Sequence, residues 1–143
     1  MIYIVGILIL LAIFLVALYN KLAKQRVLVE EASSDIETFL KQRYDMIPNL
    51  VEIVKGYAKH EKGTFTEVTE LRAKAMASGS LEEKMEIEGE LTKALSRIIA
   101  VTENYPELKA NTNFLDLQSS LKELENNIQK SRRFYNGAAR DFN

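Results

Sequence analysis

Residues 2–19, IYIVGILILLAIFLVALY, run for eighteen positions with no charge and no strongly polar side chain. At 1.5 Å rise per residue such a helix is about 27 Å long, close to the roughly 30 Å hydrocarbon core of a bilayer. A soluble helix carries an apolar stripe. This stretch is apolar around its whole circumference, as a helix surrounded by lipid must be. It reads as a membrane anchor over residues 1–20, with residues 21–143 forming one helical domain beside the membrane. Two other readings are weaker. A cleaved signal peptide wants a basic segment, then an apolar run of about 7–15 residues and a small-x-small exit. Here only Met1 precedes the run, the run is longer, and Ala17-Leu18-Tyr19 is a poor cleavage site. Against a buried soluble helix, Tyr3 and Tyr19 stand at the two ends, where interfacial aromatics belong.

Flanking charge gives the orientation. Lys21, Lys24 and Arg26 follow the span and no side-chain cation precedes it. The positive-inside rule then predicts a single-pass protein with its N-terminus outside and the domain in the cytoplasm.

The 124 residues beyond Tyr19 are enough for one domain with a real core. Lys and Arg number 19 against 20 Asp and Glu, so no field of one sign is available to wrap nucleic acid. The absence of cysteine removes disulfides, thiolate metal sites and Cys nucleophiles.

From Tyr19 to Ile47 no Gly or Pro interrupts the chain, and the first helix is expected to continue out of the membrane. Val29, Ala32, Ile36, Phe39, Arg43, Met46, Leu50, Ile53 and Tyr57 alternate at three and four, with Leu40, Ile47 and Val54 widening the stripe. Membrane span and domain are thereby expected to share one long helix. Pro48 gives no N–H to the carbonyl of Tyr44 and should kink that helix without breaking it. The helix should end within residues 57–63. Thr64 with Glu67 predicts a capping box opening a second helix, faced by Phe65, Val68, Leu71 and Ala75. Ser78-Gly79-Ser80 is the clearest turn, and Ser80 with Glu83 is a second capping box. The third helix is expected over 81–104, with Leu81, Met85, Leu91, Leu95, Ile98 and Thr102 as its stripe. Its acidic run, Glu82, Glu83, Glu86, Glu88 and Glu90, reads as a solvated face. Residues 107–110 read as a connection. The fourth helix, 112–142, follows a heptad alternation through Phe114, Leu117, Leu121, Leu124, Ile128, Ser131, Tyr135, Ala138 and Phe142, which predicts coiled-coil-like packing. The fold class is therefore all-α: an N-terminal transmembrane helix continuous with an antiparallel up-and-down four-helix bundle.

Tests for chemistry return little. Di-iron bundles use Glu-x-x-His on two helices. This chain has one histidine, His60, with Tyr57 three residues before it, and Glu88 is the carboxylate nearest an apolar stripe. His60 with Glu61 reads as a polar pair at a helix end. There is no Gly-x-Ser-x-Gly and no Gly-rich phosphate loop. Tyr57, Tyr105 and Tyr135 read as core or rim residues. Lys130, Arg132, Arg133 and Arg140 form a small basic cluster that reads as a solvated face or as a contact with anionic lipid. Arg43, a cation on an apolar stripe, needs either a carboxylate or a partner. No catalytic, cofactor or metal site is assigned.

Three blocks resemble the LemA family. They are Gln42-Arg43-Tyr44-Asp45-Met46-Ile47-Pro48-Asn49-Leu50-Val51 continuing through Lys55-Gly56-Tyr57-Ala58 to His60-Glu61; Glu103-Asn104-Tyr105-Pro106-Glu107-Leu108-Lys109-Ala110 with Phe114 and Leu117-Gln118; and Arg132-Arg133-Phe134-Tyr135-Asn136. The resemblance covers nearly the whole chain and implies a bacterial single-pass membrane protein with a cytoplasmic helical bundle. It implies no catalytic residues; some relatives are linked to membrane organisation or remodelling. Members often continue with a Phe-Pro-Ser segment and a further tail, whereas this sequence stops at Asp141-Phe142-Asn143.

The resulting expectation is a non-enzymatic scaffold of the bacterial inner membrane, without cofactor. Its partners would be the lipid bilayer and further copies of itself, and no nucleic acid. The alternative is an adaptor recruiting a membrane protease or another envelope partner through its bundle face.

Overall fold

The computed structural model describes residues 2–142, and among them there is no strand. The helices are α1 (Ile2–Tyr57), α2 (Lys62–Ala77), α3 (Leu81–Thr102), α4 (Pro106–Lys109) and α5 (Thr112–Phe142). The chain divides into two compact units: Met1–Ile36 with Gln129–Asn143, and Glu37–Ile128.

In the first unit the long apolar helix expected from the sequence is present. Its large side chains over residues 3–19 are uncovered, from 43% exposed at Leu18 to 87% at Tyr3. A core helix of a soluble protein would be buried; this surface is compatible with a single-pass membrane helix. Further on, Ala32 and Ile36 are buried. Arg26 pairs with Glu30 at 2.9 Å, an exposed i,i+4 contact worth a few tenths of a kcal/mol. On α5, Ser131, Tyr135 and Ala138 are half-buried and Phe142 is exposed, so the heptad stripe weakens towards its end.

The second unit holds the core. Leu40, Ile47, Leu50 and Val54 of α1 are buried with Phe65 and Val68 of α2, Leu91, Leu95 and Ile98 of α3, and Phe114, Leu121, Leu124 and Ile128 of α5. Each such side chain stabilises the fold by about 1.5–3 kcal/mol relative to exposure. The buried face of α1 is rotated from the expected stripe. Leu40, Ile47 and Val54 lie at its centre, whereas Phe39, Met46 and Ile53 are half-buried and Tyr57 is exposed.

Pro48 lies inside α1 and does not end it. The carbonyl it leaves without an intrahelical donor belongs to Tyr44. Arg72 of α2 meets that carbonyl: its Nε donates to Tyr44 O at 2.6 Å. A cation from another helix thus replaces the missing amide.

Two local expectations need correction. α2 starts at Lys62, two residues before Thr64, and its N-cap residue Glu61 makes no side-chain cap. The Thr64 capping box does not form, because Thr64 is already helical and Glu67 instead pairs with Arg97 of α3. Residues 106–109 are a helical turn, α4, and not an irregular connection. Pro106 sits at its first position, where proline's fixed φ suits a helix and its missing N–H costs nothing.

Other signals held. Ser80 Oγ accepts from Glu83 N at 3.2 Å and caps α3, although the Glu83 carboxylate accepts from Ser78 Oγ. α3 ends at Thr102, two residues earlier than expected. α5 begins at Thr112, where Asn111 Oδ1 accepts from Phe114 N. α2 and α3 pack against each other, with the Arg97–Glu67 pair on their surface.

Candidate functional site

The polar centre of the second unit is built on Arg43. α1 places it on the buried face between Leu40 and Ile47, and it is only 3% exposed. A guanidinium cannot shed its proton at physiological pH, so burial there requires counter-charges. Two arrive from other helices. Arg43 Nη1 donates to Glu88 Oε1 of α3 and to Glu125 Oε2 of α5. Thr92 Oγ1 donates to the same Glu125 oxygen at 3.2 Å. Glu88 is as buried as Arg43, while the Glu125 side chain keeps 25% of its exposure.

The cluster is incompletely satisfied. Arg43 Nε, Glu88 Oε2 and the Tyr44 hydroxyl are buried without a hydrogen bond of good geometry. Tyr44 Oη nonetheless lies near enough to Glu88 for each to perturb the other. Burial pushes the Glu88 carboxyl up to about 6. The Arg43 charge and contact with Tyr44 pull it down, and Glu125 adds to the rise. Burial likewise holds the Tyr44 hydroxyl well above its ordinary range, with the Glu88 charge acting in the same direction. With both glutamates ionised the three groups sum to one negative charge; protonating Glu88 makes the cluster neutral.

Beside the cluster lies an open cleft of about 490 Å³ between α3 and α5. Arg43, Thr92 and Glu125 form its polar end, and Leu95, Ile99 and Leu121 form apolar wall. The arrangement can hold three helices in register and can store or release a proton at Glu88.

The sequence-derived candidates fare unevenly. Arg43 takes the carboxylate option. Glu88 is a correction: expected on a solvated face, it is buried, whereas Glu82, Glu83, Glu86 and Glu90 are exposed as expected. Glu125 and Arg72 were not singled out, and Tyr44 only for the carbonyl that Pro48 leaves open. Tyr57 is exposed and its hydroxyl accepts from Asn111 Nδ2 at 3.3 Å. Tyr105 precedes α4, and Tyr135 is half-buried on α5. Lys130, Arg133 and Arg140 are exposed on α5 and Arg132 is half-buried. His60 is exposed in the α1–α2 connection, in a groove with three lysines.

The family model described as the LemA family matches residues 32–143, which include all three blocks read from the sequence. Over 151 aligned residues the chain is 24% identical to magnetosome protein MamQ 2 of Paramagnetospirillum magneticum, covering 87% of this chain and 56% of that protein. It is 25% identical over 125 residues to Protein LemA of Metamycoplasma hominis, covering 87% and 57%. Magnetosome protein MamQ of Magnetospirillum gryphiswaldense is 21% identical over 136 residues, covering 77% and 50%. The chain spans about half the length of the curated relatives it matches.

Proposed function

The chain belongs to the LemA family, and on that premise we propose that it is a membrane-anchored, non-enzymatic scaffold that self-associates and organises or remodels the bacterial inner membrane. The observation that carries this reading is the uncovered apolar helix over residues 3–19, which lipid would cover. The N-terminus lies outside and the helical domain in the cytoplasm, as Lys21, Lys24 and Arg26 favour. The domain is an antiparallel up-and-down four-helix bundle of α1, α2, α3 and α5, with α4 as one turn in the last connection. Connections of two to four residues on either side of α2, α3 and α4 support that topology. The absence of enzymatic chemistry is inferred from the main polar cluster: its cation is engaged by two carboxylates and its role is architectural.

Light scattering of the full chain in detergent and after reconstitution into lipid tests the proposal. Oligomers above the 16.3 kDa of one copy are expected. A strict monomer across a wide concentration range in both settings refutes self-association. In-cell crosslinking that yields one dominant foreign partner and no self-crosslinks favours an adaptor instead.

A further inference from the structure

We propose that the groove at the α1–α2 connection is an anion site for a phosphate-bearing ligand. Lys55 comes from the last turn of α1, Lys59 and His60 from the connection, and Lys62 from the first position of α2. All four line one open groove of about 830 Å³. None of them is in an ion pair among the described residues, whereas Lys84, Arg97 and Lys109 each have a carboxylate partner. Lys55 Nζ is held 5.8 Å from the centroid of the Phe65 ring, a cation–π distance, and Phe65 is buried beneath it.

This convergence does not follow from composition, because the chain as a whole is balanced at a net charge of −1. Like charges lining one groove repel one another. Glu70 is the carboxylate on the groove wall, one against three ammonium groups. The start of α2 adds to the positive field, since no side chain caps its first turn. The hydroxyls of Thr66 and Thr69 are already committed to the carbonyls of Lys62 and Phe65, at 3.0 and 2.8 Å. Donors to a bound anion are therefore the ammonium groups, and they come from separate positions around the groove. A phosphate group offers three or more acceptor oxygens in different directions and suits that spread; a carboxylate offers two. The volume exceeds one phosphate and fits a diphosphate or a phosphate attached to a larger group. The same chemistry is offered by a soluble phosphate ester or anhydride and by a phospholipid headgroup.

His60 is the chain's single histidine and lines the groove, so its imidazole resonances report on this site alone. The full chain in phosphatidylcholine nanodiscs is titrated with pyrophosphate, against sodium chloride at matched ionic strength. A parallel sample receives dispersed, water-soluble short-chain phosphatidic acid in place of pyrophosphate. A saturable movement of the His60 resonances with pyrophosphate supports a soluble ligand, and movement with phosphatidic acid alone supports a headgroup. Replacing Lys59→Gln together with Lys62→Gln, both exposed, should weaken the response about tenfold or more, as loss of charge-assisted hydrogen bonds does. Lys122→Gln, outside the groove, should leave it unchanged. The proposal is overturned if neither probe gives a saturable response, if chloride gives the same response, or if Lys122→Gln weakens it as much as the double variant does.

Discussion

Glu88→Gln tests the energetics of the buried cluster directly. Gln keeps the size of the side chain and its capacity to accept from Arg43, but it cannot titrate. In the folded protein the Glu88 carboxyl is pushed from 4.5 up to about 6, chiefly by burial. The folded state therefore holds a proton that the unfolded chain has released. Stabilisation from that proton is fully present below about 4.5 and is lost as pH rises through about 6. At 1.36 kcal/mol per pH unit, the interval corresponds to about 2 kcal/mol. Side-chain exposure of 3% means that solvent screening removes little of it.

The expected result is a difference of differences. Urea unfolding of the full chain in detergent, followed by far-UV circular dichroism, gives the stability of wild type and variant at about pH 4.5 and about pH 7.5. Other carboxylates titrate in both proteins and cancel. Wild type should gain about 2 kcal/mol on the variant between the higher and the lower pH. A gap that does not change with pH refutes the assignment. A gap that favours wild type more at the higher pH shows that attraction to Arg43 outweighs burial, and reverses the sign of the argument.

Two further perturbations address the fold. Arg72→Leu removes the donor to the Tyr44 carbonyl and should cost about 1–3 kcal/mol, but less in a Pro48→Ala background, where an amide at position 48 can supply the missing bond. A double-mutant cycle should show a coupling of about 1 kcal/mol, and additive effects refute the compensation. Leu121→Arg places a charge at a 5% exposed core position and should cost about 3 kcal/mol or more; unchanged thermal unfolding means that the α5 stripe is not core.

What was legible in the sequence depended on how local the cause was. The apolar span, the Ser80 cap and the α5 start all rest on neighbours within a few residues. The orphaned carbonyl at Tyr44 was predictable from Pro48, but its donor is 28 residues away. The phase of α1 failed for a different reason. A seven-residue reading drifts by about 20° per heptad on a straight helix. Leu40, Ile47 and Val54, read as the margin of the stripe, form its buried centre, while Phe39, Met46 and Ile53 are only half-buried. Glu88 left a signal that charge patterning concealed. It falls three residues before Leu91 and seven before Leu95, in phase with the α3 stripe, inside a run of glutamates that are otherwise exposed. Glu125 left the same kind of signal, four residues after Leu121 and three before Ile128, both buried on α5.

Apolar stripes alone hold helices together without fixing how far each has slid. Leucines and isoleucines at three and four can exchange neighbours by one turn at modest cost, because dispersion and area burial are nearly indifferent to identity. Arg43 is not indifferent. Its guanidinium must reach Glu88 on α3 and Glu125 on α5 at once. A slide of either helix by one turn, about 5.4 Å, leaves a buried charge without its partner. That costs several kcal/mol, more than the loss of a well-fitted methyl group. Arg72 adds a third constraint by tying α2 to the α1 carbonyl that Pro48 leaves open. The polar residues of this core therefore act less as glue than as a register.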